Sequence, residues 1–335
     1  GVKPKFVGVY CFTTQVIGEL PILYLLCSLN RITTIMIAFK MMSHFSAFRF
    51  IAFQTSTFKT PLLLHLDRGY KRSRFNSNWT IRDKGRQLLF EVIMIDNHLL
   101  VLNKPAGIPV QGDKTGDPNL LDLTKEWIKE KFGKKGNVYL GLVHRLDRPV
   151  SGVVCFARTS KAAARLSASF KQRLPEKVYI AVVQGSLSGT GDLNHFLWRP
   201  NSHKNVVKVS EDEKPGSKRA ELSWESLGQL EHPSAGVQTI LKVKLHTGRR
   251  HQIRAQLASI GHPVVGDIKY GAPYQLKDRT LGLHALALKI SHPTLQEQLH
   301  LCAKIPATWH QRFLNKTVSI NTREMHDLLY DTQKK

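Results

Sequence analysis

Between Leu88 and Cys302 the chain is a series of short apolar runs that do not alternate regularly with helical stretches. EVIMID (91–96) and HLLVLNKP (98–105) have the length of strands and meet at Asp96-Asn97, a turn signal. VVCFA (153–157) and KVYIAVVQG (177–185) read the same way, and further strands are expected over 220–226, 236–246 and 282–291. Helical spacing is confined to three places. Over 119–133, Leu123 and Trp127, then Ile128 and Phe132, stand one turn apart, and Gly133 is placed to end the helix. A second helix runs from a cap at Thr159 or Ser160 to Phe170, and a third over 249–260 stops at Gly261. A doubly wound sheet needs a helix between successive strands. This pattern predicts an α+β fold with a mixed or antiparallel sheet.

Charge narrows the partner. The 335 residues carry 49 Lys or Arg against 25 Asp or Glu, a net charge of +24. A chain this basic meets polyanions or carries a basic targeting segment. Residues 1–90 hold 13 of the cations and three acids, Glu19, Asp67 and Asp83. The organisation expected is an acid-poor basic leader over 1–85, a body over 86–315 and a C-terminal tail over 316–335. From Met36 onward the leader is rich in Ser, Thr and Phe and has no acid before Asp67, the composition of a mitochondrial presequence. Phe45, Phe48 and Ala52 would form the apolar side of a helix there. Cytoplasm or nucleus is the alternative location. Residues 68–86 read as a flexible basic linker. The apolar stretch LPILYLLCSL (20–29) has about half the length of a bilayer span, so no membrane partner is expected. Cys11, Cys27, Cys155 and Cys302 lie far apart without a CxxC pair, which excludes a disulfide scaffold and argues against a cysteine zinc site.

The densest chemistry is GLVHRLDRPVSGVV at 141–154, where His144, Arg145, Asp147, Arg148, Ser151 and Gly152 fall within nine positions. Pro149 and Gly152 force a turn, so the segment is a loop between strands. Guanidinium groups one and two positions away favour the charged form of Asp147. That makes it a poor proton donor, and a nucleophile, a charge stabiliser or a salt-bridged turn residue. His246 and His251 are five apart, the wrong spacing for one helical face, and no acidic ligand set accompanies them, so a metal is not expected. QGDKTGD at 111–117 lacks the spacing of a phosphate loop.

HRLDRPVSG resembles the HRLDxxTSG signature of the RluA-type pseudouridine synthases. LVLNKPAGIPV (100–110), EKVYIAVVQG (176–185), HTGRRHQIRAQLASIGHPVVGDIKYG (246–271) and LHALALKISHP (283–293) resemble further motifs of that family, in the same order. The resemblance covers roughly 90–300. Pro149-Val150 and Gln256 depart from the family pattern without touching the acid.

The resemblance implies a bent, mixed sheet with flanking helices and an enzyme that turns uridine in RNA into its carbon-linked isomer. It implies neither cofactor nor metal. Asp147 matches the family's catalytic aspartate, and a single carboxylate departs from the opposed pair of a sugar hydrolase. Tyr179 matches the active-site tyrosine, which stacks on uracil and whose hydroxyl is placed to take a proton from the sugar. Arg254 matches the arginine that pairs with the aspartate. Arg145 corresponds to a residue that fills the space left by the extruded nucleotide. Arg148, Arg250 and His144 are expected to bind substrate. Lys104 and Pro105 read as structural. The RNA partner is ribosomal, transfer or messenger RNA, with ribosomal RNA placed first, and no obligatory protein partner is evident. The alternative is a non-catalytic RNA-binding or ribosome-assembly factor with a vestigial site.

Overall fold

The computed structural model describes residues 11–16, 21–28, 34–40, 77–83, 86–200, 206–309 and 312–313. The chain divides into two compact units, Gly1–Gly69 and Tyr70–Lys335. In the first, strands β1 (Cys11–Val16), β2 (Pro21–Ser28) and β3 (Thr34–Lys40) pair in order as an antiparallel meander. The helix side expected at Phe45, Phe48 and Ala52 lies outside the described residues.

The second unit is built on one twelve-stranded sheet with few helices. Its elements are β4 (Ser77–Asp83), β5 (Arg86–Ile95), β6 (Leu99–Lys104), α1 (Leu120–Lys131), β7 (Gly141–Leu142), β8 (Ser151–Ala157) and α2 (Ser160–Lys171). There follow β9 (Glu176–Gln184), β10 (Thr190–Trp198), β11 (Lys208–Ser210), β12 (Lys218–His232) and β13 (Gly236–Leu245). The chain then forms α3 (Gln252–Ser259), a 3-10 turn at Ile268–Tyr270, β14 (Leu283–Ser291), β15 (Gln298–Cys302) and α4 (Ala307–Trp309). The main order across the sheet is β11-β10-β12-β13-β9-β14-β8-β6-β5-β4, with β15 beside β14 and β7 beside β8. β4 pairs with β5, so part of the expected linker is a strand of this sheet. Among the described residues, no helix is long and apolar enough to cross a membrane.

Local signals set the helix ends. Asn119 caps α1 by accepting from the Asp122 N–H, and Thr159 caps α2 by accepting from the Ala162 N–H. α3 is shorter than the expected 249–260 because His251 is left-handed, with φ 52°, and stops the helix from extending backward. At its other end Gly261 donates to the Ala258 carbonyl and His262 to that of Leu257, the paired bonds of a Schellman stop.

The central strands are covered on both faces, which is why they read as continuous apolar runs. In β6 Leu100 and Leu102 pack with Leu120, Trp127 and Ile128 of α1, whereas Leu99 and Val101 pack with Ala162 and Leu166 of α2. In β9 Ala181 and Val183 meet Ile253 and Leu257 of α3, and Ile180 and Val182 meet Trp309. Tyr179 packs against both the α1 cluster and the α3 cluster, and so marks the place where the two halves of the sheet meet.

The seam itself is β8 against β14. They run parallel, joined at His284–Ser151 and Ala285–Gly152, whereas the other neighbouring pairs of this sheet are antiparallel. Gly152 permits this approach. It has φ +120°, and a Cβ there would lie 2.2 Å from the Ala285 carbonyl oxygen. Backbone on both sides leaves no room to yield. Gly152→Ala should therefore destabilise the protein by more than about 3 kcal/mol; denaturant unfolding checks this, and an unchanged midpoint would contradict it.

Candidate active site

The loop 143–150 leads into β8 at the seam, and its backbone is tied down. The Val150 N–H donates to the Asp147 carbonyl (3.1 Å), closing a turn around Arg148-Pro149. The buried Lys104 ammonium donates to the carbonyls of Pro105 (2.9 Å), Ile108 (2.8 Å) and Arg148 (3.2 Å). The Gly107 N–H also donates to the Arg148 carbonyl (2.8 Å). Burial pushes the Lys104 pKa down to about 7 against the pull of the Asp147 charge. The Asn-Lys-Pro-Ala-Gly turn is thus a clamp on the loop, as its composition suggested.

Arg254 of α3 reaches the same loop. Its Nη1 donates to Asp147 Oδ2 at 2.9 Å. Its Nε and Nη2 donate to the two oxygens of Asp267, at 2.6 and 2.9 Å. Asp267 is 2% exposed and Arg254 7%, whereas the Asp147 side chain is 27% exposed. One guanidinium therefore joins a fully buried carboxylate to one that opens to solvent. The Tyr270 ring lies against it, 5.0 Å from Cζ. The Tyr270 hydroxyl accepts from the Val207 N–H (3.0 Å) and is hydrogen-bonded to His251 Nδ1 (2.8 Å). His251 Nε2 stands 3.7 Å from Asp147 Oδ2. Burial, reinforced by Arg254, Arg250 and Lys269, outweighs the Asp147 charge and lowers the His251 pKa to about 4, so this ring is neutral.

Asp147 opens into a cavity of about 500 Å³, the size of a small-molecule site. Arg145, Arg250 and Lys269 line it, and among the described residues none of the three has a salt-bridge partner. Asp113, also on the wall, is occupied by Thr115 and Arg148. The result is one available carboxylate among cations. No group of three His, Cys, Asp or Glu side chains suited to a metal occurs among the described residues.

Of the expected residues, Asp147 and Arg254 meet here, and Tyr179 lies within electrostatic reach of Asp147. Burial and the Asp147 charge both raise the Tyr179 pKa, so its phenol is neutral. A neutral phenol accepts a proton only by passing its own on. Arg145 and Arg250 line the cavity as expected. Two expectations need qualification. Arg148 lines the cavity too, but its guanidinium is engaged: Nη1 binds Asp117 (2.7 Å) and Nη2 binds Asp113 (2.9 Å), pinning the 113–117 loop as a rim. His144 does not line the cavity. Its Nε2 accepts from the Cys155 N–H (2.9 Å) and its ring stacks on Phe170 at 4.9 Å, so it is a half-buried brace for β8. Burial lowers its pKa to about 4. The sequence reading missed Asp267, Tyr270 and His251 as site residues. Their signal was present in GDIKYG and RRHQIR, but neither stretch shows which guanidinium its side chains meet.

Residues 98–259 match the family described as RNA pseudouridylate synthase. The tRNA pseudouridine synthase C of Pasteurella multocida is 31% identical over 235 residues, covering 66% of this chain and 94% of that protein. The chain belongs to the RluA-type RNA pseudouridine synthases. The dual-specificity RNA pseudouridine synthase RluA of Haemophilus influenzae is 35% identical over 222 residues, 64% of this chain and 92% of that one. Human RNA Pseudouridylate Synthase Domain Containing 4 shares the fold, with a TM-score of 0.53 at 24% identity, covering 68% of this chain and 94% of the other. This synthase is accordingly an isomerase acting on RNA, and the mostly antiparallel mixed sheet is the fold of such enzymes.

The guanidinium bridge sets two expectations. Arg254→Lys replaces a planar fork by a point charge that cannot hold both carboxylates, and should lower turnover by at least about 100-fold. Asp267→Ala leaves a buried guanidinium half-paired and should cost about 3–5 kcal/mol of stability. Steady-state rates on RNA and denaturant unfolding measure the two.

Proposed function

We propose that this synthase isomerises uridine in transfer RNA, with Asp147 as the group that acts on the substrate. The observation carrying the second part is that Asp147 is the available carboxylate on the cavity wall, held by Arg254 on one oxygen. The sequence reading put ribosomal RNA first. The first part instead follows relatives named as tRNA pseudouridine synthase C, which this chain covers almost end to end.

The chemistry follows from the residues. A uracil stacked in a helix hides its glycosidic bond, so the nucleotide must be extruded, at a cost of a few kcal/mol. Arg250 offsets part of that cost through phosphate, and Arg145 occupies the vacated stack. Asp147 then supplies negative charge to the sugar carbon as its bond to N1 breaks. The freed base turns, C5 bonds to the same carbon, the C5 proton leaves, and N1 regains one, so the product has the atoms of the substrate. Tyr179 stacks on the base and relays a proton.

The leader carries a separate proposal. Its acid-poor, hydroxyl-rich composition over 36–85 supports import into mitochondria.

Asp147→Asn should abolish isomerisation while RNA binding persists; retained turnover would remove Asp147 from the mechanism. Mapping pseudouridine with and without the protein should show dependent sites in transfer RNA. Dependent sites confined to ribosomal RNA would overturn the substrate assignment. A fluorescent reporter carrying residues 36–85 should enter mitochondria, and a diffuse cytosolic signal would count against import.

A further inference from the structure

Outside the uridine cavity a second group of cations gathers at the start of β9. Lys177 stands two residues before Tyr179, so both side chains leave the same face of the strand. Its ammonium lies close to Gly248, where a Cβ would sit 3.4 Å from Nζ. Gly248 leads directly into Arg249 and Arg250, and Arg250 lines the cavity. Arg249 is held by its Nε donating to the Arg219 carbonyl at 2.9 Å. Arg173 joins the group from the end of α2. There the Arg173 N–H donates to the Phe170 carbonyl (3.2 Å) and the Leu174 N–H to that of Ser169 (3.2 Å). This is a helix stop that normally takes glycine, yet Arg173 occupies it with φ 61°. A side chain in that left-handed conformation costs about 1–2 kcal/mol. The fold carries that cost four residues before Lys177, within electrostatic reach of both Lys177 and Arg249.

Arg173 repels both of the other cations, and Glu221 offsets part of this at Arg249. The Arg173 charge adds to burial in lowering the pKa of both Lys177 and Arg249. Among the described residues none of the three has a salt-bridge partner, and Glu221, the acid nearest in effect, is paired with Arg219 at 2.5 Å. Three other lysines of the sheet are compensated. Lys244 and Lys289 share Glu176, at 3.2 and 3.0 Å, and Lys242 pairs with Glu225 at 3.2 Å. Among the described residues this group thus has no ion-pair partner of its own, and it runs through Gly248 to the cavity wall. An anion with several oxygens relieves such a cluster, and guanidinium forks suit phosphate.

We propose that Arg173, Lys177 and Arg249 form a subsite for a backbone phosphate of the RNA strand flanking the target uridine. The proposal rests on RNA as the substrate; it does not depend on transfer RNA in particular or on the role of Asp147. The subsite grips the strand outside the cavity while the base is turned over within it.

The test is binding of a fluorescein-labelled RNA hairpin with a single loop uridine to the full chain, titrated over a range of salt. Arg173→Gly and Lys177→Gln should each weaken binding and lower the slope of log affinity against log salt by about 0.7, the value of one single-stranded phosphate contact. Arg173→Gly relieves the left-handed strain, so its unfolding temperature should not fall, which separates lost contact from lost fold. Replacing one phosphate beside the loop uridine by a neutral methylphosphonate should weaken binding to the unaltered protein and have little further effect on Lys177→Gln. Unchanged affinity and slope in both variants would overturn the subsite. Asp147→Asn, run in parallel, should bind with an unaltered slope. Failure of the transfer-RNA or Asp147 assignments would leave these binding results standing.

Discussion

Arg254 presents different edges of one planar guanidinium to two carboxylates that differ in exposure, and the site takes its geometry from that sharing. The bidentate bond to Asp267 compensates the charge of each partner where water does not reach. Nη1 is left to project toward Asp147. A lysine ammonium is a point charge and has no such division of edges. Helix α3, the turn before Ile268–Tyr270 and the loop before β8 are thereby tied together at one residue. The Tyr270 ring on the guanidinium and the Tyr270–His251 hydrogen bond extend the same lock to the residue that begins α3.

The lock works because the sheet brings those elements to one seam. β8 and β14 run parallel there, between two antiparallel halves, and Gly152 lets the backbones close. The loop leading into β8 is held from behind by Lys104. A buried ammonium is expensive unless its hydrogen bonds are satisfied, and Lys104 meets three carbonyls, one of them Arg148 of the loop itself. The loop is thus gripped through its backbone, leaving the Asp147 carboxylate facing the cavity.

The cations divide by partnership rather than by position in the sequence. Arg145 and Arg148 flank Asp147, yet Arg145 lines the cavity without a carboxylate while Arg148 is consumed by Asp113 and Asp117. Lys177, Arg173 and Arg249 repeat the unpaired condition just outside. An excess of basic residues therefore has two uses in this molecule. Paired cations brace loops and strands, and the unpaired ones on the cavity wall suit a polyanion.

Features governed by near neighbours were legible. Thr159, Gly133 and Gly261 cap or stop their helices as their spacing indicated, since those bonds span only a few residues. The α+β class followed from unevenly spaced apolar runs, and strands covered on both faces keep that signature. β10 and β15 escaped notice because each buries only two leucines, set among mostly polar or exposed positions. Sequence by itself determined the family, the fold class and the clustering of Asp147, Tyr179 and Arg254 as candidates. Only the tertiary structure decided which of the motif's charged groups remain open to substrate. Arg148 meets acids 31 and 35 residues away, and Arg254 reaches Asp147 across 107. Whether a charge is spent or available depends on such distant partners, and spacing along the chain carries no record of them.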